Sequence, residues 1–202
     1  MDALTLLLER RSCVALQAPA PEGAALTAIL RAALRVPDFQ RLRPYEFILA
    51  SGDGLDRLGA LMEQAALASG KAADIVERAR RMPHRAPLVV VVVARWRPST
   101  IVSHFEQQLS ASCAVMAMQM AAVAQGFGGI WRSGWPMFDR GLHAALDLTR
   151  CKSTRHGRRR QSPAAAGVRM VRAHVRWAAF ASAGTSFLIG GPQVLQASSW
   201  KK

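Results

Sequence analysis

The run Leu88-Val89-Val90-Val91-Val92-Val93-Ala94 constrains this chain more than any other stretch. β-Branched side chains are stiff about χ1 and favour extended backbone. A strand that is apolar at every position has no face to offer water, so it must be covered on both sides. The chain therefore needs a central sheet with packing elements on each face.

The flanking sequence supplies helices to do this. Asp2 is placed to cap a first helix from Ala3 to Glu9. Pro21-Glu22-Gly23 opens a second, Ala24 to Leu34, whose Leu26, Ile29, Leu30, Ala33 and Leu34 share one face, and Pro37 ends it. Tyr45 to Ala50 reads as a strand, Ser51-Gly52-Asp53-Gly54 as a turn and Leu55 to Ser69 as a helix. A more polar helix follows from about Ala72 to Met82, before a loop between Pro83 and Pro87. Ser103 to Gln125 is the longest helical stretch. Cys113, Val115, Met116, Met118, Met120, Ala121, Ala122 and Val123 make it apolar nearly all round, so it is central or shared with a second subunit. Gly129 to Ser133 reads as a short strand and Asp139 to Leu148 as a helix. The reading is an α+β sandwich with a central sheet.

Charge divides the chain. Nearly all of its net +14 lies beyond residue 148, where there are 11 Lys and Arg and no acid. A whole-chain charge argument for nucleic acid is therefore misleading. Arg155-His156-Gly157-Arg158-Arg159-Arg160 has no interleaved aromatics, and a solvated segment is the better reading. Cys13, Cys113 and Cys151 form an odd set without CxxC spacing, which suits reduced thiols in a cytoplasm. Asp2 and Glu9 argue against a signal peptide. Gln107, Gln108, Gln119 and Gln125 argue against a membrane span over 107–131.

Three stretches carry chemistry. Arg10-Arg11-Ser12 places two guanidinium forks and a hydroxyl at a helix end, where a phosphate or ring carbonyl can be held. Arg35-Val36-Pro37-Asp38 precedes Arg43-Pro44-Tyr45. Gly126-Phe127-Gly128-Gly129 is no dinucleotide fingerprint, because it follows a helix and precedes a strand. Its glycines allow close backbone approach, and Trp131, Arg132 and Ser133 then alternate along the strand. His104-x-Glu106 lacks the cysteine pair of a zinc deaminase, so no metal is expected.

Together these stretches resemble the nitroreductase family of flavin enzymes, and within it the short YdjA-like subgroup. The likeness runs from Met1 to about Leu148 and is densest from Ser112 to Gly134. It implies an α+β fold with a central mixed β-sheet flanked by helices. It implies a homodimer that binds FMN without a covalent bond and passes a hydride from NADH or NADPH to a nitroaromatic, quinone or similar small acceptor. The partners so implied are a second copy and that acceptor, with neither nucleic acid nor membrane. By the same resemblance Arg10, Arg11 and Ser12 bind FMN, Arg35 reaches it across the subunit interface, Phe39 stands at a further FMN-binding position, and Trp131, Arg132 and Ser133 line it. Ala121, Ala122, Val123, Ala124, Gln125 and Gly126 match a stretch linked to the nicotinamide. No catalytic side chain is implied, since the flavin carries the chemistry.

Departures from the subgroup bear on function. Phe39 stands where histidine is favoured, and Arg43-Pro44-Tyr45 where Gln-Pro-Trp is favoured. Phe39 and the altered tail make a flavin binder with little or no turnover the alternative reading. The domain is expected to span 1–148. Residues 149–202 are expected to form an atypical basic tail, disordered over 149–186, frame-altered or inserted, with a last strand near 187–190.

Overall fold

The computed structural model describes residues 1–148 and, as backbone, 184–192. The expectation of disorder over 149–183, and any reading of 193–202, lies outside the described residues. Six α-helices are described: α1 (Ala3–Glu9), α2 (Gly23–Ala33), α3 (Asp53–Ala68), α4 (Ala73–Arg81), α5 (His104–Ala124) and α6 (Arg140–Ala145). Five strands are described with them: β1 (Leu16–Gln17), β2 (Tyr45–Ser51), β3 (Leu88–Ala94), β4 (Gly128–Arg132) and β5 (Gly184–Pro192). Gly184–Ser186, expected to lie in the unordered tail, belong to β5.

The sheet runs β2-β3-β5-β4, and β1 pairs with the far end of β5. Every described pairing is antiparallel, so the mixed sheet expected from the resemblance is antiparallel over these residues. The reason is the helix count between strands. Two helices, α3 and α4, separate β2 from β3, so the chain returns in the opposite sense. One helix, α5, separates β3 from β4, so these two run the same way. They are not neighbours, however, because β5 is inserted between them in the reverse sense. Val89 faces Leu188, and Leu188 in turn faces Ile130.

The valine run is covered on both sides, as its composition demands. Val90 and Val92 pack with Phe47 and Leu49 against Ile29 of α2 and Val115 and Met118 of α5. Val89, Val91 and Val93 pack with Ile48 against Leu55, Leu58 and Met62 of α3, Ala79 of α4 and Leu142 of α6. Each fully buried aliphatic side chain contributes about 1.5–3 kcal/mol. At the sheet end Arg95, buried, donates to Glu46 at 2.6 Å and to the Leu148 carbonyl at 3.3 Å.

Helices α3 and α4 touch backbone to backbone. A Cβ at Gly59 would stand 2.3 Å from the Arg80 carbonyl oxygen. Gly59→Ala is therefore expected to force the helices apart and cost about 1–3 kcal/mol. Urea unfolding should show this as a lower midpoint at unchanged slope. An unchanged midpoint would mean that α4 yields freely.

Candidate flavin site

The site is assembled by one backbone hydrogen bond. Asp2 caps α1, accepting from the Leu4 and Thr5 amides at 3.0 Å each. The helix ends at Arg10, and the next turn of chain is pinned where Cys13 N–H donates to the Gly129 carbonyl at 3.0 Å. That bond brings Arg10-Arg11-Ser12 beside β4, which carries Trp131 and Arg132. Gly128 makes the approach possible: a Cβ there would lie 2.9 Å from Leu16 Cδ2 and 3.0 Å from Cys13 Sγ.

The side chains so gathered fit an anionic, aromatic ligand. Arg10 is half-buried, Arg11 and Ser12 are exposed, and none of the described ion pairs uses either arginine. Arg10 Nη1 reaches Ser12 Oγ at 3.5 Å. Trp131 is 37% exposed. Arg132, half-buried, follows Trp131 at the end of β4. Guanidinium groups without an acid partner, as at Arg10 and Arg11, are donors suited to a phosphate or a polar ring edge.

Arg35 and Phe39 are elsewhere in the same chain. Ser110 donates to the Pro37 carbonyl at 2.9 Å, and Ser99 donates to Gln40 at 3.0 Å. This fixes the segment beside the first half of α5. Gln119, by contrast, donates to Gly129 at 3.2 Å, next to the Arg10–Ser12 corner. Nine residues of helix separate Ser110 from Gln119, about 13 Å at a rise of about 1.5 Å per residue. Phe39 is 65% exposed. Its backbone neighbours are strained: Gln40, Arg41 and Arg43 all have positive φ. The Asp38 carboxylate holds the turn by accepting from the Leu42 and Arg43 amides at 3.1 and 2.7 Å. Burial, with Asp38 adding to it, pushes the Tyr45 hydroxyl up to about 12, so Tyr45 stays protonated near neutrality.

The stretch Ala121–Gly126 is a helix end. Gly126 adopts φ 84°, its N–H donates to Val123, and Phe127 N–H donates to Ala122. That is a Schellman cap, and it accounts for the glycine. Ala122 is buried, while Ala124, Gln125 and Gly126 are exposed. Glu106 and Ser103 form a capping box for α5, and His104 lies against Trp96 at 4.6 Å, so both residues of the His-x-Glu pair have structural roles.

Asp139 ties α6 to α3. It caps α6 through Leu142 N–H at 2.8 Å and accepts from the Ser69 hydroxyl. Burial alone would raise its carboxyl, but the Ser69 bond, the Leu142 amide and Lys71 together hold it below the usual range. A lowered folded-state pKa contributes stability above the ordinary carboxylate value and loses it as pH falls through the folded value. Asp139→Ala should cost about 1 kcal/mol near neutral pH. The gap from the parent should close in acid, which thermal unfolding across pH would show. A gap that stays constant would count against the cap.

Residues 7–155 match the Nitroreductase family. Over 134 residues the chain is 52% identical to the Escherichia coli (strain K12) protein named "Putative NAD(P)H nitroreductase YdjA", covering 66% of this chain and 73% of that one. A Haemophilus influenzae protein named "Putative NAD(P)H nitroreductase" is 43% identical over 135 residues, again 66% and 73% of the two chains. Among solved structures, a nitroreductase-like family protein from Bacillus cereus superposes with TM-score 0.69 at 19% identity, covering 96% of this chain and 87% of that one. A Desulfitobacterium hafniense nitroreductase with bound FMN gives 0.60 at 16%, covering 96% and 90%. The likeness in fold follows the expected α+β class, and the identity to the curated relatives is far beyond what shared fold alone produces. This chain belongs to the Nitroreductase family.

Proposed function

We propose that the protein is an FMN-dependent oxidoreductase that takes a hydride from NADH or NADPH and passes electrons to a nitroaromatic, quinone or similar small acceptor. The observation that carries this is the Cys13–Gly129 hydrogen bond, which joins the Arg10-Arg11-Ser12 corner, whose arginines have no acid partner among the described ion pairs, to the strand end that carries Trp131, Arg132 and Ser133. Arg10, Arg11, Ser12, Arg132 and Ser133 would hold the polar parts of FMN, and Trp131 would lie against it. When bound, FMN supplies two-electron chemistry between nicotinamide and acceptor. The chain's own tasks are to bind, to orient, and to set positive charge beside the group that becomes negative on reduction. Ala121–Gly126 would border the nicotinamide. The cytoplasm is the proposed compartment; among the described residues no helix is long and apolar enough to cross a membrane.

A homodimer belongs to the same proposal. Phe105, Leu109 and Met116 are exposed along one face of α5, and Leu4, Leu7 and Leu8 along α1. Apolar faces of this extent call for cover. Pairing would also let Arg35 and Phe39 of the partner subunit reach the flavin that their own chain keeps them from. Light scattering should give twice the 21.9 kDa chain mass. Leu109→Asp should shift the protein toward a monomer that loses flavin. A flavin-loaded monomer would refute the interface role of Arg35 and Phe39.

Phe39 supports a second reading, a flavin binder with slow turnover, because an exposed phenyl ring donates no hydrogen bond to the cofactor. Oxidation of NADH or NADPH with a nitroaromatic acceptor separates the two. Steady turnover supports the enzyme, and flavin retention without turnover supports the binder.

A further inference from the structure

Among the described residues two buried side-chain atoms lack a hydrogen-bond partner: Nε of Arg132 and Nε2 of His143. Unmet buried polar atoms are rare and ask for an explanation. Both residues line one cavity of about 140 Å³ on the α3 and α6 side of the sheet. His143 is 5% exposed and has no part in the flavin reading. The cavity walls are aliphatic, formed by Leu58, Met62, Val89, Val91, Leu142 and Leu146. Exposed Arg85, Ser133 and Gly134 stand among its lining residues and mark its mouth.

Two properties define what fits. A cavity near 150 Å³ admits one benzene ring. The charged residues lining this one are Arg85 and Arg132, with His143 beside them, and no carboxylate lines it among the described residues. A neutral hydrocarbon would fill the walls and leave both orphan atoms unmet. Water would meet those atoms and leave the walls unfilled. An anion on a six-membered ring satisfies both demands.

We propose that this cavity is a binding site for a benzene-sized aromatic carboxylate. The ring lies among the aliphatic side chains, and the carboxylate accepts from Arg132 Nε–H and from the Nε2–H tautomer of His143. Arg132 borders this cavity and the proposed flavin site alike, whereas His143 belongs to the cavity alone.

The test is calorimetric titration of the full-length protein with benzoate, using benzyl alcohol as the neutral counterpart. Benzoate should bind saturably at one site per chain, about tenfold or more tighter than benzyl alcohol, the difference expected of one charge-assisted hydrogen bond. His143→Leu should weaken benzoate about tenfold while sparing benzyl alcohol. Leu146→Phe, which fills the space, should abolish binding of both. Equal affinity for the two compounds, absence of benzoate binding, or benzoate binding indifferent to His143→Leu would each overturn the proposal. Benzoate that perturbs the flavin spectrum and ignores both substitutions would place it on the flavin and overturn it too. The titration needs no turnover. A flavin-free protein that still binds benzoate would keep this inference and sink the flavin reading.

Discussion

Replacing both Arg10 and Arg132 with alanine should weaken FMN binding by about 10²–10⁴-fold while the chain stays folded. Each guanidinium is proposed to make a charge-assisted hydrogen bond to the cofactor, and each such bond is worth about 1.5–3 kcal/mol. Two of them correspond to that range in affinity. The fold should survive because none of the described ion pairs uses either arginine, so no buried acid is stranded. Quenching of FMN fluorescence on titration measures the affinity, and far-ultraviolet circular dichroism checks the fold. Unchanged affinity in a folded double variant would mean that the flavin is held elsewhere.

Leu188→Pro should be the most destructive single change to the fold. Leu188 sits in β5, paired with Val89 on one side and Ile130 on the other. A central strand directs every N–H to one neighbour or the other, so proline removes a ladder bond wherever it falls. The stranded carbonyl, the lost bond and the ring clash together should cost about 3 kcal/mol or more, a large part of a typical domain's stability. The effect goes beyond one bond, because β3 and β4 run the same way and meet only through β5. Leu188→Ile keeps the N–H and should be mild. A soluble Leu188→Pro protein with parent-like thermal stability would show that β5 is dispensable to the sheet.

Much of this was legible in residues whose chemistry is local. The valine run announces a strand covered on both faces, and β3 has cores on each side. Asp2, Pro37 and Gly126 mark helix ends where the structure has them. The α5 stripe of methionine and alanine reads as a central helix, and Ala114, Val115 and Met118 are buried. What stayed hidden depends on contacts far apart in sequence. Leu16–Gln17 is too short to show a period, and it becomes β1 only because the distant Gly191 and Pro192 pair with it. The antiparallel sense of the sheet rests on helix count and on where β5 inserts. Gly59 reads as an ordinary helix glycine until Arg80 is seen against it. Positive φ at Gln40, Arg41 and Arg43 has no local signature beyond Asp38 ahead of a proline-bounded turn. At the site, Arg10-Arg11-Ser12 and Trp131-Arg132-Ser133 were readable as motifs, yet the Cys13–Gly129 bond that unites them was not. His143 offered no signal, since a histidine within an amphipathic helix is most often core.

The proposed function requires that this chain hold FMN in a state that NAD(P)H reduces and an acceptor reoxidises. The direct measurement is an anaerobic titration of the purified, flavin-loaded protein, read by its visible absorbance. NADH or NADPH should bleach the flavin band with one equivalent per flavin, and an added nitroaromatic or quinone should restore it. A protein that takes up no flavin, or one whose flavin stays oxidised under both nicotinamides, would contradict the account.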